Sequence, residues 1–165
     1  MHNYYLHRQL YADGNPVDGG STPDPAKTRF TLSNGNTEEY DISGTLTSDW
    51  FKANGFQNGV GEWQKEFTKI EIGNTVTSIG AGAIGSYFGP NIELHIPSSV
   101  TTIGEGALEY TGFSKIVIEK TKADAKTMLT VSQLGAGEYE VPVVECTDGS
   151  FKITAAGETL TYEDL

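Results

Sequence analysis

From Phe67 onward, apolar positions come in short alternating pairs rather than in long helical runs. Ile70 and Ile72 alternate with polar residues, and Val76 and Ile79 follow a small polar break. The same figure returns as Leu94 and Ile96, then Val100 and Ile103. The pairs Ile70/Leu94, Ile72/Ile96, Val76/Val100, Ile79/Ile103, Gly80/Gly104, Gly82/Gly106 and Ala83/Ala107 are each 24 residues apart. A third unit opens at Phe113-Ser-Lys-Ile-Val-Ile118, with Ile116 standing 22 residues beyond Leu94. A period of two turns one face of a strand inward. A repeat in the twenties with fixed apolar places predicts stacked coils, each burying its Ile and Val against the next. Ile-x-Ile is predicted as a strand and Val-x-x-Ile-Gly as a second short extended piece turned by its glycine. Gly82-Ala83-Ile84 and Gly106-Ala107-Leu108 are predicted to begin a helical turn.

The flanks follow other patterns. Residues 1–11 carry Tyr4, Tyr5, Leu6, Leu10 and Tyr11 and read as a short anchoring strand or arm; residues 12–27, rich in Gly, Pro and Asp, read as a linker. Between Phe30/Leu32 and Tyr40/Ile42 sits Asn34-Gly35, whose residues both tolerate positive φ, so a β-hairpin is predicted. Residues 28–66 are thus a hairpin followed by an aromatic stretch, with Trp50, Phe51, Phe56 and Trp63 expected to plug one end of the domain. Thr47–Ala53 suits one or two helical turns. Residues 67–120 hold the repeats, and residues 121–165 a C-terminal β cap. Within that cap, Thr121–Leu134 suits a helix in its first half and a strand in its second. Tyr139–Cys146 and Ser150–Thr154 then form a hairpin around Asp148-Gly149, and Thr159–Tyr162 adds a last strand.

The repeated residues resemble the BspA-type leucine-rich repeat family, whose units look like Leu-x-x-Ile-x-Ile-Pro-x-x-Val-x-x-Ile-Gly-x-x-Ala-Phe. The likeness spans residues 63–119, roughly a third of the chain, and recurs in register. Ile84 and Leu108 stand where the family has Phe, and the first unit is longer around Gly89-Pro90-Asn91. The resemblance implies a mainly β fold: a short leucine-rich-repeat solenoid of about three coils, capped by flanking β-hairpins. It also implies non-enzymatic surface recognition or adhesion. Proteins of this family are mostly bacterial surface or secreted proteins that bind host proteins, matrix or other cells, and the same repeats occur in gut bacteriophage structural proteins.

Charge narrows the partners. The formal net charge is −11, from 22 acidic and 11 basic residues. Binding nucleic acid needs clustered Lys and Arg, so that class is disfavoured, as is an anionic membrane surface. No apolar stretch approaches a membrane span. The first ten residues hold no apolar run of signal-peptide length. The setting expected is therefore the surface of a phage virion, as an exposed accessory or fibre-type protein. The N-terminal arm would hold other virion or surface proteins, and the repeat loops would meet a host surface protein or glycan. The alternative is a fragment of a bacterial cell-surface adhesin.

Candidate chemistry is sparse. Cys146 alone makes no intramolecular disulfide and, in an alternating strand, reads as a small buried hydrophobe. His2 and His7 lie in the arm without a third ligand nearby, and Asp13, Asn15 and Asp18 lack the spacing of an EF-hand. Gly80-x-Gly82-x-x-Gly85 has the letters of a dinucleotide loop, but its glycines recur as Gly104 and Gly106, which marks them as turn residues. No catalytic residue, cofactor or metal is expected. Four residues are candidate ligand contacts: Tyr87 and Phe88 in the long turn of the first unit, Tyr110 in the next, and His95 facing outward between Leu94 and Ile96. For His95 the plainer account is an exposed strand histidine with no role. For Phe113 the family's Leu position argues for the core.

Overall fold

The computed structural model describes residues 22–87 and 91–165. The 24-residue spacing becomes a neighbour relation between parallel strands. Strands β4 (Phe67–Glu71), β6 (Ile92–Ile96) and β8 (Phe113–Ile118) lie side by side. Strand β9 (Gly137–Cys146) continues them in parallel. Ile70, Leu94, Ile116 and Val144 are thereby register partners across four strands, and all are fully buried. The second extended piece of each unit forms its own small parallel sheet. There β3 (Gly44–Leu46) pairs with β5 (Val76–Ile79), and β5 with β7 (Thr102–Ile103), aligning Leu46, Ile79 and Ile103. Val76, Val100, Ile79 and Ile103 are buried from this side, so the core lies between the two sheets.

Neighbouring units are also joined at their turns. The Gly82 and Ile84 amides donate to the carbonyls of Glu105 and Ala107; one unit further on, the Gly106 and Leu108 amides donate to Ser132 and Gln133. The predicted helical turns appear as paired i→i+3 turns, with the amides of Ala83 and Gly85 donating to Gly80 and Gly82, and those of Ala107 and Glu109 to Gly104 and Gly106. Gly104 is required by space, since a Cβ there would meet the Ala81 amide nitrogen at 2.5 Å. Gly106 is required by its φ of +65°.

Both ends leave the parallel pattern. On the N-terminal side β1 (Lys27–Leu32) lies antiparallel to β4, and β2 (Thr37–Asp41) closes that edge as the hairpin's other strand. On the C-terminal side β10 (Gly149–Gly157) and β11 (Thr159–Asp164) follow β9 antiparallel. The large sheet thus runs β11-β10-β9-β8-β6-β4-β1-β2 and is mixed, and the protein is mainly β. Its outermost strands carry Glu38, Glu39 and Asp41 on one side and Glu163 and Asp164 on the other. Charges on an edge discourage pairing with another chain's strand.

Among the described residues, three short helices fill the connections. α1 (Ser48–Ala53) starts at Thr47, whose hydroxyl accepts from the Trp50 amide. It brings Phe51 beneath β1. α2 (Lys122–Met128) starts at Thr121 in the same way, from the Asp124 amide. α3 (Val131–Leu134) corrects the expectation of a strand in the second half of 121–134. Thr130 and Gln133 make a capping box there, and Ser132 and Gln133 offer carbonyls to the preceding turn. From this helix the Gln133 side chain donates to the Ile103 carbonyl at the open edge of β7.

Candidate functional site

Two features stand out, a flat charged face and a cleft at the aromatic end. The face is the outer side of the large sheet. In β6 the buried Ile92, Leu94 and Ile96 alternate with half-buried Glu93 and His95, so these two point away from the core. Lys69 and Glu71 in β4 do the same, as does Lys115 in β8. Parallel register places Lys69, Glu93 and Lys115 in one row, and Glu71, His95, Val117 and Glu145 in the next. Opposite charges therefore alternate across the first row and along β4.

These charges are paired within the sheet. His95 Nε2 lies 2.5 Å from Glu93 Oε1, Lys115 Nζ 3.0 Å from Glu145 Oε2, and Lys69 Nζ 3.5 Å from Glu71 Oε1. Arg29 reaches both Glu71 (3.6 Å) and Glu39 (3.5 Å), and its guanidinium also donates to the Asp24 carbonyl. Burial alone would lift the Glu93 carboxyl. The hydrogen bond from His95, with Lys69 and Lys115 nearby, instead holds it below its ordinary range. Five strands at ~4.8 Å spacing make such a face about 20 Å wide, suited to broad contact rather than to enclosing a small molecule.

The cleft has a volume of about 780 Å³. Trp63, Phe67 and Tyr87 form its aromatic wall, and Ser33, Glu62, Lys65 and Glu66 stand around it. The wall is firmly held. Tyr87 stacks on Phe67 at 4.2 Å, and its hydroxyl both accepts from the Phe67 amide (2.8 Å) and donates to the Phe67 carbonyl (3.0 Å). Burial pushes the Tyr87 phenol above its usual pKa. Trp63 Nε1 donates to the Gly85 carbonyl at 3.2 Å. Lys65 is bound to Glu38 at 2.8 Å and lies 4.5 Å over the Phe56 ring. Glu62 and Glu66 thus leave this end with an acidic rim.

The sequence candidates fall in different places. Tyr87, expected in a solvent-facing turn, is buried at 4% exposure, because its ring completes the aromatic stack and its hydroxyl satisfies the first residue of β4. Phe88 lies outside the described residues, as do Tyr4, Tyr5, Leu6, Leu10, Tyr11 and the linker acids. His95 faces outward as its alternation predicts. Tyr110 is 59% exposed at a φ of +57°, and its hydroxyl shares a hydrogen bond with Glu109 that raises the phenol pKa. Phe113 is core. Cys146 is half-buried, and burial together with Asp148 pushes its thiol up. His95 and Tyr110 belong to different surfaces, the sheet face and a turn.

Sequence reasoning missed the cleft. Its signal was the glycine-spaced stretch Gly55–Gly61 between aromatic residues, which predicts a projecting loop beside a ring cluster. Asn58 pins that loop, accepting from the Val60 and Glu62 amides and donating to the Glu62 carboxylate. Among the described residues no helix is long and apolar enough to cross a membrane, and no three His, Cys, Asp or Glu side chains gather as a metal site needs. Comparison with protein-family models, with curated proteins and with solved structures finds no match for this chain.

Proposed function

We propose that this chain is a non-enzymatic surface-recognition module, a short solenoid of about three BspA-type leucine-rich repeats capped by its flanking hairpins. One observation carries the reading. Units 24 residues apart in sequence lie bonded side by side along two strands and a turn, which lines their charged side chains up on one face. A rigid scaffold that presents repeated side chains in rows is suited to extended contact with another macromolecule. The partner is a host surface protein or glycan. It meets the Lys69/Glu93/Lys115 row with complementary charges. The setting, a virion surface with a bacterial cell-surface adhesin as the alternative, comes from the family resemblance rather than from the geometry.

The test is binding of the purified chain to intact bacteria, immobilised matrix proteins and a glycan array. The paired reversal Glu93→Lys with Lys115→Glu is expected to weaken the bound signal at least tenfold while the thermal midpoint stays within a few degrees. Binding indifferent to that reversal, or turnover of a glycan or peptide abolished by one carboxylate change, overturns the reading. Mass spectrometry of purified virions decides the setting, since absence of the polypeptide there removes the virion.

A further inference from the structure

The cleft at the aromatic end holds an unpaired stretch of extended backbone. We infer that it takes an extended basic segment of a partner protein, which adds as a strand along Trp63–Phe67 and sets lysine or arginine side chains against Glu62 and Glu66. This does not depend on the recognition proposal, which concerns the sheet face.

Three observations carry the inference. The first is the backbone. The Glu62 carbonyl accepts from the Asn58 amide and the Gln64 amide donates to the Phe56 carbonyl, which sets Trp63 opposite Gln57 in antiparallel register. In such a pairing the residue between the two bonds turns its own N–H and C=O away from its partner. Further on, the Tyr87 hydroxyl engages both the amide and the carbonyl of Phe67. Between these places, among the described residues, no hydrogen bond reaches the backbone amide or carbonyl of Trp63 or Lys65. Trp63, Lys65 and Phe67 all line the cleft. Strand addition needs such a stretch, since main-chain bonds supply the affinity and pockets for alternate side chains the choice.

The second is charge. The protein carries a net charge of −11, and the lysine of the cleft, Lys65, is already bound to Glu38 at 2.8 Å. Glu62 and Glu66 are exposed on the rim. The Glu62 carboxylate accepts from the Asn58 side-chain amide, a neutral donor that leaves its charge uncancelled. Burial and then the Glu66 charge raise the Tyr87 phenol, so this carboxylate acts on the ring wall. A cationic segment complements this rim, and an acidic one is repelled.

The third is the shape of what remains. A cleft of about 780 Å³ is large enough for several residues of an extended chain. Phe67 and Tyr87 are only 1% and 4% exposed, so they back the cleft without offering open ring faces for a sugar to stack on. The directional contacts left for a ligand are the backbone groups of Trp63 and Lys65. They are held in place beforehand by the Asn58 turn and by the Trp63 Nε1 bond to Gly85, which lowers the cost of ordering on binding.

The probe is a capped hexapeptide of alternating lysine and valine. Its controls are the glutamate–valine counterpart and a copy N-methylated at every residue, which keeps the charge and loses the amide donors. Hydrogen exchange of the full chain is followed by nuclear magnetic resonance. With the lysine–valine peptide at millimolar concentration, the Trp63 and Lys65 amides are expected to exchange at least tenfold slower, with amides of β10 unchanged. Glu62→Gln with Glu66→Gln weakens that protection severalfold, whereas Glu93→Lys with Lys115→Glu leaves it as it was. Exchange at Trp63 and Lys65 unaltered by the peptide overturns the inference, as does equal protection by either control. Protection present without peptide that falls on dilution, together with a dimer in light scattering, also overturns it, since the occupant is then a second copy.

Discussion

In the middle of the molecule Ile70, Leu94, Ile116 and Val144 stand in one row, one aliphatic side chain per strand, at places fixed by backbone hydrogen bonds. At the N-terminal end Phe30 touches rings from β2, α1, the loop after it and β4: Tyr40, Trp50, Phe51, Phe56 and Phe67. The middle is built by repetition. Each residue meets its own counterpart from the next unit, so sequence spacing alone decides who touches whom. The end is built by convergence, with rings from five segments meeting edge to face, stacked or tilted, and strand register placing only those of β1, β2 and β4. The middle therefore distributes its burial over many similar small contacts, and the end concentrates it in a few large ones.

Truncating one large ring is the strongest way to break this contrast. Phe56 is fully buried and lies 4.6 Å from Phe30 between ring centroids. Phe56→Ala is expected to cost about 3–5 kcal/mol, and Leu94→Ala, equally buried in the middle, about 2–5 kcal/mol with a lower centre. Urea denaturation followed by tryptophan fluorescence and by circular dichroism checks both. Trp50 and Trp63 report the end, while the ellipticity reports the sheets. If the two signals separate in Phe56→Ala but coincide in Leu94→Ala, the end melts on its own. A larger loss in Leu94→Ala would reverse the contrast.

A smaller effect sharpens the account of the middle. Repetition at close spacing makes some glycines obligatory for space and others for backbone angle. An Ala at Gly104 places its Cβ 2.5 Å from the Ala81 nitrogen and 2.8 Å from its Cα, and the unit next door must shift. At Gly82 nothing lies within 4 Å, but φ is +64°. Gly104→Ala is expected to cost about 1–3 kcal/mol through overpacking, and Gly82→Ala about 1 kcal/mol through strain. Asparagine separates the causes. It tolerates positive φ, so Gly82→Asn recovers part of the loss, whereas Gly104→Asn is worse than Gly104→Ala. Thermal melts of the four variants give the order.

The contrast also explains what was legible in the sequence. The strands β4 to β8 and their pairing could be read because Ile70 and Leu94 announce each other at a fixed distance. The two hairpins could be read from Asn34-Gly35 and Asp148-Gly149. The position of Tyr87 could not. Only the meeting of the first unit's long turn with Phe67 and Trp63 makes it a wall rather than a loop tip, and that meeting has no periodic trace. The cleft is hidden for the same reason, since Ser33, Trp63 and Tyr87 come from three unrelated segments. α3 was missed because Val131 and Leu134 fit either element, and the deciding term is the turn it bonds to, Gly106 and Leu108.

The smallest effect concerns the cation that closes the aromatic end. Glu38 accepts from Lys65 at 2.8 Å and from the Tyr40 hydroxyl at 2.8 Å. Burial pushes the Glu38 carboxyl up, but the bonds from Lys65 and Tyr40 outweigh it and hold the group below its ordinary 4.5. Burial likewise pushes Lys65 down, and Glu38 outweighs that, so the ammonium stays above its usual 10.5. A carboxyl depressed on folding stabilises the protein above its unfolded pKa and loses that contribution as pH falls through the folded value. The Lys65 contribution is full below 10.5 and disappears as pH rises beyond it. Glu38→Gln is expected to cost about 0.2–1 kcal/mol at pH 7, less in high salt, with the gap to the parent closing as pH falls below the ordinary 4.5 and through the depressed folded value. Leu94→Ala should keep its full cost down to that pH, because no titration accompanies the loss of a methyl contact. A Glu38→Gln deficit that survived at pH 3 would mean that the glutamate holds Lys65 over the Phe56 ring by shape rather than by charge.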